Sequence, residues 1–508
     1  MALSRRRFLL AASSAALAWP ALGDAQDARE GPFAHGVASG DPRTDGVILW
    51  TRVTPPAGHT RADVRWQVTT DAPAATVLAR GTVTTTPARD FTVKVDVRGL
   101  EAGRTYRYQF EVDGVFSPFG RTRTLPLETA RLRLAVVACS NYPAGFFNAY
   151  ATIARIDDLD AVLHLGDYIY EFADGDFGDG AALGRYPDPV HEAVTLDDYR
   201  RRYATYRRDP DLQAVHSTHP MIAVWDDHEF ADNAWTGGAN NHDPWFGEGE
   251  WSPRRRAATQ AYREWMPVRE PSDRQPFQLY RSFRFGSLAT LAMLDTRTFR
   301  NEQVEPADAT ALRAPSRTLL GAAQEQWLYQ TLQTAGASGT TWSFIGQQVM
   351  FSPFSEPGTP VRNNDAWDGY QAERGRVREF LGTLAQPVVL TGDMHSSWAF
   401  DIPRDPWGGY RAATGDGSLG VELITPAVSS PPYFTPGLVD TLGPLLASSL
   451  PHLKFMDGQR RGFLLVEASP TRLDATWHFS TTVTRRTAAA TVGARMAVEA
   501  GTSRLVRG

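Results

Sequence analysis

Apolar and polar positions follow two rhythms along the chain, and the change of rhythm divides it. From about Gly31 to Thr124 the period is two. Val64-Arg65-Trp66-Gln67-Val68 and Phe91-Thr92-Val93-Lys94-Val95-Asp96-Val97 place their apolar side chains on one face, and Val47-Ile48-Leu49-Trp50-Thr51-Arg52-Val53 reads as a strong strand. After Leu125-Pro126-Leu127-Glu128-Thr129 the pattern turns to short continuous apolar runs separated by amphipathic stretches. Strand, helix, strand at this spacing is the grammar of an α/β domain. It predicts strands over 132–138, 161–165, 221–225, 288–294, 341–349 and 387–391. Helices are expected over 145–155, 196–209, 253–266, 322–334 and 372–384. Late strands at 421–424, 462–467 and 472–480 point to a second sheet.

The all-β part carries a further signal. Leu100, Gly103 and Tyr106, followed by alternating aromatics to Phe110, resemble the tyrosine corner and sixth strand of fibronectin-type sandwiches. Residues 31–125 are therefore expected to form an Ig-like β-sandwich. No metal-competent side chains cluster there, so its expected role is packing or substrate shaping.

Chemistry gathers at the ends of the apolar runs in residues 130–508. Leu132–Ala138 ends in Cys139-Ser140-Asn141. Ala161–Leu165 ends in Gly166-Asp167, with Tyr170 three residues on. Met221–Trp225 runs into Asp226-Asp227-His228-Glu229, and Pro387–Thr391 into Gly392-Asp393-Met394-His395. In open α/β sheets ligands bind beyond the carboxyl ends of strands. A Gly-Asp turn capping a core strand explains any one of these ends, but four in one domain are hard to attribute to capping. A carboxylate such as Asp167 can bridge two cations. Cys139 and Tyr170 suit a trivalent or transition metal, whereas Asp227 and Asp393 suit calcium or magnesium. Two unlike ions sharing Asp167 would make a two-metal hydrolytic centre for phosphoryl transfer. The Gly- and Asp-rich stretch 174–189 lacks EF-hand spacing and reads as a solvated loop.

Composition narrows the class. At 508 residues, 42% hydrophobic and 21% charged, the chain fits a soluble protein of at least two domains. A net charge of -5 argues against a general nucleic-acid or anionic-membrane binder. Ser4-Arg5-Arg6-Arg7-Phe8-Leu9-Leu10, an Ala-rich apolar run and Ala21-Leu22-Gly23 read as a twin-arginine export signal within residues 1–30. No later stretch reaches the roughly 18 apolar residues of a membrane helix. The mature chain is expected to be exported, periplasmic or secreted, with the twin-arginine translocase as its partner in transit. Cys139 is the only cysteine, so no intramolecular disulfide forms.

Cys139-Ser140-Asn141, His164-Leu165-Gly166-Asp167-Tyr168-Ile169-Tyr170-Glu171, Trp225-Asp226-Asp227-His228-Glu229 and Thr391-Gly392-Asp393-Met394-His395 resemble the motifs of PhoD-type alkaline phosphatases, relatives of the calcineurin-like metallophosphoesterases. His35-Gly36-Val37-Ala38-Ser39-Gly40-Asp41-Pro42 is similar to the start of that family's N-terminal domain. The resemblance implies a two-sheet β-sandwich flanked by helices for residues 130–508. It implies Fe(3+) on Cys139, Asp167, Tyr170 and His395, and Ca(2+) on Asp167, Asp227 and Asp393. The wider superfamily's Gly-Asn-His-Glu appears here as Asp226-Asp227-His228-Glu229, and its Gly-His-x-His as Gly392-Asp393-Met394-His395. Both changes add carboxylates, which favours calcium over zinc at the second site. His228 then becomes the proton donor to the leaving alkoxide or a hydrogen-bond donor to the phosphoryl group, unless it is a satisfied core histidine. Asp226 reads as a supporting or capping residue. Asn233 and Arg297 are candidates to touch phosphate, with a buried ion pair as the alternative for Arg297.

The implied function is hydrolysis of small phosphate esters, monoesters and plausible diesters, by metal-activated water. A phospholipase D-like phosphodiesterase and a non-catalytic surface protein stabilised by its metals are the rival readings.

Overall fold

The computed structural model describes residues 31–271, 277–434, 437, 443, 445–446 and 448–508; the export segment expected at 1–30 lies outside them. Among the described residues the strands form three sheets, of ten, seven and five strands. No helix among them is long and apolar enough to cross a membrane.

The centre of the ten-stranded sheet is parallel. Leu132–Val137, Ala161–His164 and Met221–Ala223 lie side by side, with Val137 level with His164 and His164 level with Ala223. In the seven-stranded sheet Ala289–Met293, Trp342–Gln347, Pro387–Thr391 and Ser418–Ile424 are also parallel neighbours. These strands are apolar on both faces because both faces are covered. Phe344 and Leu390 join Leu134, Val136 and Leu163 in the buried layer between the two sheets. Ile345 and Val389, one residue out of phase, pack outward onto Leu328, Leu332, Val377 and Leu381 of the helices Ala322–Ala337 and Gln371–Leu381. The sheets also meet in a seam past the carboxyl ends of two inner strands, where Ala138 bridges Ala427 and the Thr425 hydroxyl donates to the Val136 carbonyl at 2.8 Å. The functional strand ends open at this seam.

Two expectations need correction. Of the late strands, only Ser418–Ile424 joins the seven-stranded sheet. Gly462–Ala468 pairs instead with Leu132–Val137, and Arg472–Ser480 lies beside it. The helix expected to reach Asp209 stops at Arg207, because the Asp209 carboxylate accepts from the N–H groups of Asp211 and Leu212 and caps a further helix, Pro210–Thr218.

Residues 31–125 do form facing layers, with Val47, Leu49, Val64, Val68, Val95 and Phe110 in one core. The Tyr106 hydroxyl donates to the Glu101 carbonyl at 3.1 Å and accepts from its N–H at 2.9 Å, which closes the corner read from sequence. The layers are not separate from the rest of the protein, however. Val37–Gly40, Gly46–Arg52 and Thr92–Arg98 extend the ten-stranded sheet through a parallel contact of Gly40 with Met221. Gly40 is needed there: a Cβ would lie 2.6 Å from the Met221 carbonyl oxygen.

Candidate metal centre

Two strands of the first sheet deliver the first donors. Past the regular ladder the Cys139 N–H bonds the Gly166 carbonyl at 3.2 Å and the Ser140 N–H bonds the Asp167 carbonyl at 2.8 Å, so the two loops leave together. Gly166, at φ 108°, lets this loop touch the next one, since a Cβ would lie 2.3 Å from Asp226 Cβ. Asp393 and His395 arrive from the other sheet across the seam. Cys139, Asp167, Asp393 and His395 all have positive φ, between 48° and 62°, which is uncommon for residues other than glycine. Each chain turns sharply to aim its side chain at one point.

The side-chain donors of Cys139, Asp167 and His395 lie within 4.8 Å of one another. The Tyr170 hydroxyl joins them, 2.9 Å from Asp167 Oδ2 and 3.0 Å from His395 Nε2, and it accepts from Ser430 Oγ at 2.7 Å. His395 Nδ1 lies 2.9 Å from the Pro431 carbonyl, which can only accept. Nδ1 therefore carries the proton, and Nε2 is free to act as a ligand. Two further groups adjoin: Asp167 with Asp227 and His228, and Asp226 and Asp227 with Asp393.

The electrostatics fit cations. Burial, then Asp167, pushes the Cys139 thiol and the Tyr170 phenol well above their usual ranges. Asp167 itself is raised by burial, and Asp393 by burial and then Asp226. Asp167 Oδ1 and Asp226 Oδ2 are buried without a hydrogen-bond partner. Thiol, phenol, imidazole and crowded carboxylates with spare lone pairs are what a pair of cations would satisfy.

His228 is placed beside this group. Its Nδ1 lies 2.8 Å from Glu171 Oε2. Burial opposes its charge, but Asp227, Glu171 and Asp167 outweigh burial and hold its pKa well above the usual value. Glu171 is likewise held below its usual value by the His228 charge against the effect of burial.

Residues 134–477 match the PhoD-like phosphatase family, and residues 16–126 match the PhoD-like phosphatase N-terminal domain. This chain belongs to the PhoD-like phosphatase family. It is a phosphoric ester hydrolase. Alkaline phosphatase D of Bacillus subtilis (strain 168) is 36% identical over 481 residues, covering 90% of this chain and 79% of that protein. A solved structure described as that of PhoD superposes with a TM-score of 0.85 at 33% identity, covering 94% of this chain and 92% of the other.

Within this PhoD-like site the two candidates for phosphate contact, Arg297 and Asn233, are bonded to carboxylates. Arg297 is fully buried, and its guanidinium pairs with Asp226, with Asp365 at 2.8 Å, with Asp227 at 3.3 Å and with Asp393 at 3.2 Å. It takes the ion-pair alternative, because its donors are committed to carboxylates under the centre. The Asn233 N–H donates to Asp227 Oδ2 at 2.6 Å, and its amide, oriented to accept from Asn240, donates to Asp365 at 3.1 Å. Asn233 therefore braces Asp227, and its side chain bridges Asp365 and Asn240.

Other parts of the PhoD-like site escaped the sequence reading. Glu229, fully buried, accepts the N–H groups of Asp167, Tyr168 and Asp226 at 3.1, 2.6 and 2.7 Å and so ties two strand ends together. Glu171 accepts from His228, from the Asp232 N–H at 2.7 Å and from Asn241 at 2.9 Å. Both are the last residue of a motif, Glu171 four residues after Asp167 and Glu229 beside His228, and an acid so near the candidate ligands was the signal available. Asp365 and Ser430 lie in loops with no periodic signal at all.

Proposed function

We propose that this phosphatase hydrolyses phosphomonoesters, and phosphodiesters as well, at a centre of one Fe(3+) and calcium. The observation carrying this reading is the meeting of Cys139, Asp167, Tyr170 and His395 in one buried group that shares Asp167 with Asp227 and His228. The first four residues would hold the iron, and Asp167, Asp227 and Asp393 the calcium. When bound, such a pair supplies Lewis-acid chemistry, lowering the pKa of water and neutralising phosphoryl oxygens.

The chain's own groups do the rest. Glu171 fixes the His228 proton on Nδ1 and stabilises the charged ring, so that Nε2 hands its proton to the departing alkoxide oxygen. The same transfer serves a monoester or a diester. Glu229 and Asn233 keep the Asp167 and Asp227 backbones in register. Arg297 balances the carboxylates beneath the site.

The Arg5-Arg6 segment supports export through the twin-arginine translocase to the periplasm or beyond. The Tyr106 corner supports an Ig-like assignment for residues 31–125, followed by a catalytic unit over 130–508.

Elemental analysis and a visible spectrum test the metal assignment. Tyrosinate bound to ferric iron absorbs visible light, so the purified protein is expected to be coloured and to contain iron and calcium. Tyr170→Phe is expected to lose the band. Colourless, iron-free protein with full activity would sink the assignment.

A further inference from the structure

The floor of the centre is polar and buried, and the way out of it is aromatic. Asp227 is 2% exposed and Arg297 0%, His228 is 6% exposed, Phe172 and Phe177 are half-buried, and Tyr433 is 54% exposed. Phe177 faces both histidines of the site. Its ring centroid is 6.3 Å from that of His228, stacked at 15°, and 5.7 Å from that of His395. Phe172 lies 5.1 Å from His228, and Tyr433 lies flat on His395 at 4.5 Å and 3°.

Phe177 is held in that place. Its carbonyl accepts from Asn141 Nδ2 at 2.6 Å, two residues beyond Cys139, and a Gly175–Gly178 backbone bond of 2.9 Å closes its turn. Gly178, at φ 146°, passes so near Asn141 that a Cβ would lie 3.2 Å from its Oδ1. The loop that carries the ring is thus tied to the strand end that carries the thiol.

We propose that Phe172, Phe177 and Tyr433 form an aromatic rim that selects phosphate esters whose alcohol bears a flat aromatic group. The inference rests on the site reading above. A phosphoryl group drawn to cations that Asp167, Asp227 and Asp393 would hold directs its ester oxygen away from the carboxylate floor, past His228 and toward these rings. An aromatic group finds offset or edge-on ring contacts there, whereas a small alkyl group buries little area.

The test uses the metal-replete full-length protein and two non-hydrolysable probes, phenylphosphonate and methylphosphonate, with affinities read by calorimetry. Wild type is expected to bind the phenyl probe about three- to tenfold more tightly, the range of one aromatic contact. Phe177→Ala and Tyr433→Ala each move that ratio toward one, and Phe177→Trp keeps it. Equal binding of the two probes by wild type overturns the rim. So does a Phe177→Ala protein that weakens both probes by the same factor, because the ring then only braces the histidines. Turnover of phenyl phosphate is measured alongside. Probe preference without turnover overturns the hydrolytic mechanism and keeps the rim, while turnover without preference overturns the rim alone.

Discussion

Replacing Glu171 with Gln changes one atom and tests how His228 is held. The wild-type carboxylate is fully buried and accepts from three donors: His228 Nδ1 at 2.8 Å on Oε2, and the Asp232 N–H at 2.7 Å and Asn241 Nδ2 at 2.9 Å on Oε1. A glutamine has one oxygen for these three. Keeping that oxygen on the two donors leaves its NH2 facing His228 Nδ1, and two donors cannot face each other. His228 must then shed its Nδ1 proton and carry the remaining one on Nε2 as a neutral ring. The lost charge-assisted bond is worth about 1.5–3 kcal/mol, which corresponds to about 10- to 150-fold in rate. The assay is kcat/KM for an aryl phosphate with Glu171→Gln, His228→Ala and the double variant. Glu171→Gln alone is expected to fall within that range while retaining its metals by elemental analysis. In the His228→Ala background the same change costs at most about twofold, because Glu171 acts through His228. Losses that multiply in the double variant would refute the reasoning.

Acid sensitivity follows from five buried histidines outside the ligand set, His35, His164, His216, His219 and His452, all lowered by burial. Burial pushes His164 down to about 3 and His219 and His452 to about 4. All five are neutral in both states above pH 6.5. As pH falls from about 6.5 toward 4 the unfolded chain takes up protons that the folded protein refuses, so stability drops, by up to about 1.4 kcal/mol per pH unit per histidine. The urea midpoint is expected to fall over this window, and His452→Gln to make the fall shallower by one histidine's share; parallel curves would count against the account. Gly166→Ala forces a positive-φ alanine against Asp226, at 2.3 Å from its Cβ. Strain and overpacking together cost about 2–6 kcal/mol, so both the urea midpoint and the bound metal are expected to drop, and a variant normal in both would contradict the close approach.

The candidate ligands were legible because short apolar runs announce the strands and a sudden polar residue their carboxyl ends. Cys139, Asp167, Asp227 and Asp393 all follow that rule. Their supports were not legible for a physical reason: each works at long range. Asp365 meets Arg297 from 68 residues away, and Ser430 reaches Tyr170 from 260. The sharing of one sheet by residues 31–125 and the catalytic strands was hidden in the same way. It depends on Gly40 meeting Met221, and no local pattern reports a pairing partner. Arg297 shows the limit within a motif-bearing stretch, since an arginine suited to phosphate is equally suited to carboxylates, and only the position of Asp226 and Asp365 decides between them.

Strain and unmet polar groups fall at one place in this fold. Four candidate ligands sit at positive φ, each at about 1–3 kcal/mol, and three carboxylate oxygens there, of Asp167, Asp226 and Asp227, lack hydrogen-bond partners. Neither feature would persist at a solvated turn, where the chain could relax and water could bond the oxygens. They persist here because the strands behind them are locked by packing on both faces, and because Glu229 and Asn233 fix the loops through backbone N–H groups. The candidate ligand side chains are therefore held close together before any cation arrives. A cation entering such a site meets ligands already in position, and its binding energy goes into neutralising charge rather than ordering the loops.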